Sequence, residues 1–410
     1  MSISWPAKAI CIVLLLISAG CADSQTTSVE VDPGGVNTSV LVPGGFGGVV
    51  GGRNVLAATS DFLVGFGGSV DVPDLPGVRH PLLDGELVDL SDGVVRPIKP
   101  LLFEGEEVRV ASGAANNSEV VVIGEVCSTV SDEGLCGSRE MVSSRLDPAS
   151  GEWAQMHLPD KVAGTIHQYS TVQVLSDGRF IAVVRLIPSQ GSMLLESSGT
   201  RWRLVRIFDS DNVLSECATD SAFYRLYKSG AATEKNQADD PAASVLVSLE
   251  KTDLKIGSTT NIDLPELASG FGGAGLKMAC GPDTVVVASG TPATEGRNAV
   301  DTSVQRLTSK GWLPVRVLNN EKIAGQMFPG EAVTGPRGVL VGGRTASVNS
   351  KAAVLEFSGV ASDGQVTKLD SSQRTDGVPI WKGLSGTVLI IKNATDLDTE
   401  TVVTEIKVWP

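Results

Sequence analysis

Histidine and tyrosine are scarce in this chain, three of each in 410 residues, and aromatic residues make up only 5%. Histidine is the common metal ligand and general base, and His80, His157 and His167 fall in separate stretches with no C-x-x-C beside them, so a zinc site is not expected. No G-x-S-x-G elbow occurs, nor a serine with a nearby histidine motif, which leaves a hydroxyl nucleophile without its base. The glycine runs Gly44-Gly45-Phe46-Gly47-Gly48 and Gly270-Phe271-Gly272-Gly273 lack the lysine of a phosphate loop and precede strands rather than helices. Positive charge is also short. Lys and Arg number 33 against 47 Asp and Glu, a net charge of −14, which argues against a nucleic-acid partner because phosphate binding needs clustered cations. No catalytic set, metal or cofactor is expected from these residues.

What is abundant is turn chemistry. The chain holds 46 Gly and 20 Pro, and its apolar residues alternate or cluster in short runs with no helical period. The stretch from Met141 to Arg185 shows the unit best: MVSSRLD, a D-P-A-S-G-E turn, Trp153 opening a strand, a loop, VQVL, an S-D-G-R turn, and FIAVVR.

The first residues read as a targeting segment. Lys8 is followed by an aliphatic core from Ala9 to Ile17 and by Ser18-Ala19-Gly20-Cys21. These residues resemble a bacterial lipoprotein signal, with Ser18 where that family usually has Leu. The resemblance implies cleavage before Cys21, which would carry diacylglycerol with acyl chains such as palmitate and anchor the protein to a membrane. An ordinary signal peptide cut at Ala-Gly is the alternative, and the apolar run is too short to span a hydrocarbon core of ~30 Å. Residues 1–20 are thus read as signal, 21–37 as a polar tether and 38–410 as one folded domain. Loss of residues 1–20 removes one charge, Lys8, and leaves −15. The expected location is extracytoplasmic: the outer face of a plasma membrane, or the outer membrane where the host has one.

Third strands align at Glu86, Met141, Met193, Ser244, Ser303, Ala352 and Val402, at intervals of 55, 52, 51, 59, 49 and 50 residues. Four strands per period of this size is the signature of a propeller. The expectation is an all-β fold: a single β-propeller of seven four-stranded blades. The last unit ends after its third strand, and an open ring would leave an exposed strand edge, so Val36 to Val42 is expected to supply the missing outer strand. Trp153, Trp202 and Trp312 each open a fourth strand after a glycine turn. The segment Asp147 to Trp153, with the Gly342-Gly343 pair, resembles kelch repeats, in which the tryptophan packs between blades. Copper oxidases on kelch-like propellers need paired tyrosine and histidine ligands, which three tyrosines do not supply here.

Four cysteines remain beyond Cys11 and Cys21, an even number that fits disulfides in an exported chain. Cys217 and Cys280 take the same place in consecutive units, each three residues before an Asp, and are expected to pair across a blade boundary. Cys127 and Cys136 bracket a second-to-third-strand loop and are expected to pair with each other.

Those second-to-third-strand loops are the long polar ones: Ser69–Gly85, Cys127–Glu140, Gly230–Ala243, Thr291–Asp301, Arg344–Lys351 and Ala394–Glu400. Together they carry −8 of the mature −15. Propeller geometry gathers them on one face, and a rigid disc with a varied acidic face suits docking. The expected function is a non-catalytic scaffold for an envelope protein or glycan, with Asp239, Asp240, Asp396, Asp398 and Glu400 on the partner-binding face. The alternative is a cell-envelope glycan hydrolase or lyase working at the mouth of the central channel.

Overall fold

The computed structural model describes residues 39–43, 54–66, 69–71, 79–81, 85–130, 136–160, 162, 167–186, 191–209, 213–228, 247–264, 276–281, 283–291, 301–308, 311–318, 326–335, 338–346, 354–361, 366–369, 380–384, 387–396 and 401–409. All regular structure in them is β; no helix occurs among the described residues.

Strand β1 (Ser39–Pro43) precedes the first sheet, which is built from β2 (Asn54–Ala58) and β3 (Phe62–Phe66). A short hairpin, β4 (Ser69–Asp71) and β5 (Arg79–Pro81), intervenes before β6 (Gly85–Asp89) and β7 (Val95–Ile98) complete sheet 1. A second small hairpin, β8 (Leu102–Phe103) and β9 (Glu106–Glu107), leads into sheet 2: β10 (Arg109–Ala115), β11 (Val120–Val130), β12 (Cys136–Leu146) and β13 (Trp153–Met156). Sheet 3 holds β14 (His167–Val174), β15 (Phe180–Leu186), β16 (Ser192–Ser198) and β17 (Arg201–Phe208). Sheet 4 holds β18 (Val213–Ala218), β19 (Ala222–Lys228), β20 (Val247–Asp253) and β21 (Thr259–Ile262). Sheet 5 comprises β22 (Lys277–Cys280), β23 (Val285–Thr291), β24 (Asp301–Thr308) and β25 (Gly311–Leu318). Sheet 6 comprises β26 (Gln326–Gly335), β27 (Gly338–Ala346), β28 (Val354–Ala361) and β29 (Val366–Leu369). These six sheets are antiparallel meanders in chain order. The strands β30 (Ile380–Leu384), β31 (Thr387–Asp396) and β32 (Thr401–Trp409) pair with β1 in the order β1-β32-β31-β30, Ser39 facing Lys407 and Pro43 facing Val403. First strands lie side by side within two runs of sheets: β10 is next to β2 and β14, and β22 is next to β18 and β26.

The sheets stack face to face, so each strand buries both sides and reads as a continuous apolar run rather than an alternating one. In β11, Val120 and Val122 pack toward sheet 1, whereas Val121 and Ile123 pack toward sheet 3. In β16, Leu195 packs toward sheet 2 and Leu194 toward sheet 4. A one-residue slip would exchange the two sets, and fully burying each such side chain stabilises by roughly 1.5–3 kcal/mol, which pins the register.

Two local devices recur. The first strands β2, β10, β14, β18 and β26 each carry a bulge, after which the next residue is re-aimed. Two such residues are serines that tie neighbouring sheets together: Ser112 Oγ accepts Val172 N–H at 3.0 Å, and Ser215 Oγ accepts Met278 N–H at 3.1 Å. The third-to-fourth-strand turn is an Asp-x-x-x-Gly hairpin in sheets 1, 2 and 4. Gly93, Gly151 and Gly257 have positive φ and donate back to the carbonyls of Asp89, Asp147 and Asp253. Each Asp carboxylate accepts the amide two residues on, from Ser91, Ala149 and Lys255. Ser91 holds the Asp89 carboxyl, and the Ala149 amide with the Ser150 hydroxyl holds that of Asp147, below the usual aspartate value.

Of the third-strand anchors in the sequence period, Glu86, Met141, Met193, Ser303 and Val402 fall in β6, β12, β16, β24 and β32, and Ser244 and Ala352 lie outside the described residues. Two sequence boundaries shift. The loop bracketed by Cys127 and Cys136 is shorter than expected, because β11 continues to Val130 and β12 begins at Cys136. Asp396 is not in a loop but ends β31, paired with Thr401.

Candidate functional site

A meander puts its second-to-third-strand connection at one end, together with the link to the next sheet. The first-to-second and third-to-fourth turns lie at the other. The two ends differ. At the turn end the short hairpins tie to one another: Asn116 Nδ2 donates to Gly178 O at 3.1 Å, Ser176 N–H donates to Asp220 Oδ1 at 2.9 Å, and Arg179 Nη2 donates to Asp220 O at 2.9 Å. Those turns are committed to structure.

The connection end carries projecting hairpins. The longest is β11–β12, whose tip is stapled by the Cys127–Cys136 disulfide, with Cα atoms 5.6 Å apart. Ser138 Oγ lies 2.7 Å from Ser128 Oγ and 2.6 Å from Thr129 Oγ1 across that hairpin, and Arg139 donates to Glu125 at 2.5 Å. Beside it stands the β8–β9 hairpin, with β9 against β11. It turns at Glu104 and Gly105, both at positive φ, and exposes Glu104, Glu106, Glu107 and Leu102. This acidic hairpin was not anticipated; the signal for it is the Glu-Gly pair between apolar and acidic neighbours in Leu102-Phe103-Glu104-Gly105-Glu106-Glu107.

The second disulfide, Cys217–Cys280, joins β18 to β22 with Cα atoms 5.5 Å apart. It sits in the apolar cluster between sheets 4 and 5 with Tyr224, Met278 and Val287. Both cysteine pairings therefore match the strand alignment. Asp396 is placed in β31, while Cys21, Asp239, Asp240, Asp398 and Glu400 lie outside the described residues. No group of three or more metal-ligating side chains occurs among the described residues, and no helix among them is long and apolar enough to cross a membrane.

The tryptophans are spent on packing. Trp153 meets Phe66 of sheet 1 edge-on, 5.8 Å between ring centroids, and donates to Lys99 O. Trp202 is buried and donates to Ser143 Oγ of sheet 2 at 2.9 Å; Trp312 donates to Asp263 O, at the end of sheet 4. Each fourth-strand tryptophan thus packs on the preceding sheet.

Among the described residues, a largely buried charged cluster lies between sheets 3 and 4. Glu216, Arg225 and Glu250 face one another across β18, β19 and β20. Arg185 of β15 approaches from sheet 3, 3.6 Å from Glu216, which is itself 3.3 Å from Arg225. The Arg225 guanidinium lies 4.0 Å from the centroid of the Phe208 ring. Burial pushes the Glu216 carboxyl up, against the pull of both arginines, and lowers the Arg225 guanidinium. None of these residues stood out in the sequence, because each is a single charge in a different strand.

No protein-family model and no curated protein matches the chain. Among solved structures it is similar to YjhT, at 13% identity and a TM-score of 0.39, over 82% of this chain and 100% of that one. It is also similar to the β-propeller domain of the Trilobed protease from Pyrococcus furiosus, at 8% identity and a TM-score of 0.42, over 69% of this chain and 78% of that one. A third likeness is to Pyrococcus horikoshii acylaminoacyl peptidase, at 10% identity and a TM-score of 0.44; it covers 70% of this chain but spans 43% of the peptidase. Six consecutive four-stranded antiparallel sheets, with first strands side by side in sheets 1 to 3 and again in sheets 4 to 6 and no helix among the described residues, make this chain an all-β protein of propeller architecture.

Proposed function

We propose that this chain is a lipid-anchored cell-envelope protein. A seven-bladed, kelch-like propeller, closed by β1 as the outer strand of its last blade, serves as a non-catalytic docking scaffold for a protein or glycan. The anchor is Cys21, and the docking face is the connection end, with Asp239, Asp240, Asp396, Asp398 and Glu400 contributing to it. The observation that carries the reading is the contrast between centre and rim. Of the first strands, nearest the axis of such a disc, β2, β10 and β22 bury small or apolar residues, Ala57, Ala58, Ala114, Ala115, Ala279 and Cys280, and the one buried carboxylate of β18, Glu216, is held by Arg185 and Arg225. Exposed carboxylates stand instead on hairpins such as Glu104 to Glu107. Catalysis needs converging polar groups at a mouth, whereas docking needs a rigid, varied rim.

The test is binding kinetics with a partner captured from membranes by the lipidated protein. Acidity at a rim acts on the encounter rate. Converting the five named carboxylates to amides should slow association and flatten its salt dependence while leaving the melting temperature near that of the parent. Unchanged association and salt dependence would refute the docking face.

A further inference from the structure

The two disulfides sit in opposite surroundings. Cys280 is 0% exposed and Cys217 5%, and both lie among Leu226, Leu249 and Val285 between sheets 4 and 5. Cys136 is exposed and Cys127 half-buried, toward the tip of the β11–β12 hairpin. Thiol–disulfide exchange requires a thiolate to reach one of the two sulfurs, so access alone separates the pairs.

The ladder around the exposed bridge is irregular. Pairing runs unbroken from Val120 with Leu146 to Cys127 with Arg139. It then skips Ser128, joins Thr129 to Ser138, skips Gly137 and ends with Val130 opposite Cys136. Two bulges in succession disrupt the ladder at the tip. The hydroxyl contacts of Ser138 with Ser128 and Thr129 are exposed, where water competes for them. Beyond the last regular pair, then, the covalent bridge is the main tie between the two strands. Below it the regular ladder and the Arg139–Glu125 pair hold without it. The sulfurs also have acceptors in reach: Cys127 Sγ lies 3.0 Å from Thr129 O, and Cys136 Sγ 3.1 Å from Ser138 O. A thiol freed at either position can donate to that carbonyl, so both sulfurs stay near their places and the bridge can close again.

We propose that Cys127–Cys136 is a thiol–disulfide exchange site, a reversible redox switch at the connection end that an external dithiol reductant operates while Cys217–Cys280 stays closed. A thiolate of the dithiol attacks the exposed Cys136 Sγ. A new S–S bond forms there as the Cys127–Cys136 bond breaks, and the electron pair leaves on Cys127, which takes a proton from water. The second thiol of the reductant, as thiolate, then displaces Cys136 from the mixed disulfide. The products are two protein thiols and one oxidised reductant, a two-electron transfer. Reduction loosens the hairpin tip and leaves the ladder from Val120 to Val126 intact.

The buried pair is the control within the same molecule. The full chain is treated with dithiothreitol in native buffer, quenched at intervals with iodoacetamide and read by peptide mass spectrometry. Alkylation at Cys127 and Cys136 should appear at least about tenfold faster than at Cys217 and Cys280, which react only after the fold opens. With glutathione, a monothiol, the first mixed disulfide should be found on Cys136. In the selectively reduced protein, hydrogen exchange at the amides of Thr129, Val130 and Ser138 should rise at least about tenfold while Val120 to Val126 keep their protection. Exchange of dithiothreitol for oxidised glutathione should restore the Cys127–Cys136 bridge and the slow exchange. Reduction of both bridges at one rate, or of Cys217–Cys280 first, overturns the proposal. So does a tip whose hydrogen exchange is the same with and without the bridge, and an adduct found first on Cys127 overturns the choice of Cys136 as the attacked sulfur.

Discussion

Removing the two disulfides one at a time should separate two contributions that share the same chemistry. Cys127 and Cys136 are 9 residues apart in sequence and Cys217 and Cys280 are 63 apart, so the loop-entropy relation gives stabilisations of about 2.6 and about 4.3 kcal/mol respectively. The longer loop confines more of the unfolded chain, and the expected gap is about 1.7 kcal/mol. Packing adds in the same direction. Cys217 and Cys280 are buried among Leu226, Leu249 and Val285, so truncation there leaves a void, whereas Cys136 is exposed. The assay is denaturant unfolding of Cys127→Ala/Cys136→Ala and Cys217→Ala/Cys280→Ala under non-reducing conditions, followed by far-ultraviolet circular dichroism. The second variant should lose distinctly more. Equal losses, or a larger loss from the hairpin bridge, would refute the entropy argument and the view that the inner bridge holds two sheets together.

Four further outcomes are expected. Glu216→Leu alone leaves Arg185 and Arg225 facing an apolar side chain and should cost about 3–5 kcal/mol, read as a lowered melting temperature. Gly151→Ala and Gly257→Ala both place a side chain at positive φ, at a cost of roughly 1–2 kcal/mol each. Gly257→Ala should cost more, since its Cβ would lie 2.7 Å from Val205 O while that of Gly151 meets nothing within 4 Å. Because the Asp147 carboxyl is held below its ordinary value, its contribution is complete above the unfolded-state pKa and is lost as pH falls through the lower folded one. Asp147→Asn should therefore reduce the acid sensitivity of that hairpin in a hydrogen-exchange pH series. Finally, Cys21→Ala should release the protein from membranes or block its maturation; full retention at the processed size would sink the lipoprotein reading.

The architecture was legible where one strand sequence had to satisfy two neighbours at once. Runs such as Val120-Val121-Val122-Ile123 are apolar without alternation because both faces are covered, and their spacing repeats because each sheet is one unit. Turn chemistry was legible where it was written in Asp, Pro and Gly, as in Asp147 to Gly151. The equivalent turn at Asp253 to Gly257, in Asp-Leu-Lys-Ile-Gly, was not, because only its first and last residues carry the pattern. Bulges in the first strands left no trace, since a bulge is a backbone choice that Leu56, Ala111 and Leu214 tolerate equally. The ion row was invisible for another reason. Arg185, Glu216, Arg225 and Glu250 each look like one solvent-facing charge in a strand; strand pairing within sheet 4 aligns three of them and the stacking of sheet 3 on sheet 4 brings Arg185 to the row.

The pairing of β1 with β32 bears on mechanics. Five residue pairs, from Ser39 with Lys407 to Pro43 with Val403, couple the start of the described fold to its last strand. Tension arriving through the segment before Ser39 enters the sheet at that edge. A pull along the strand axis strains all five pairs in parallel, and the contact resists as a shear joint. A pull across the axis reaches Ser39 and Lys407 first and peels the strands apart one pair at a time. The same contact is therefore strong or weak according to the direction of tension, and a fold held by its first strand would withstand drag in some orientations and shed that strand in others.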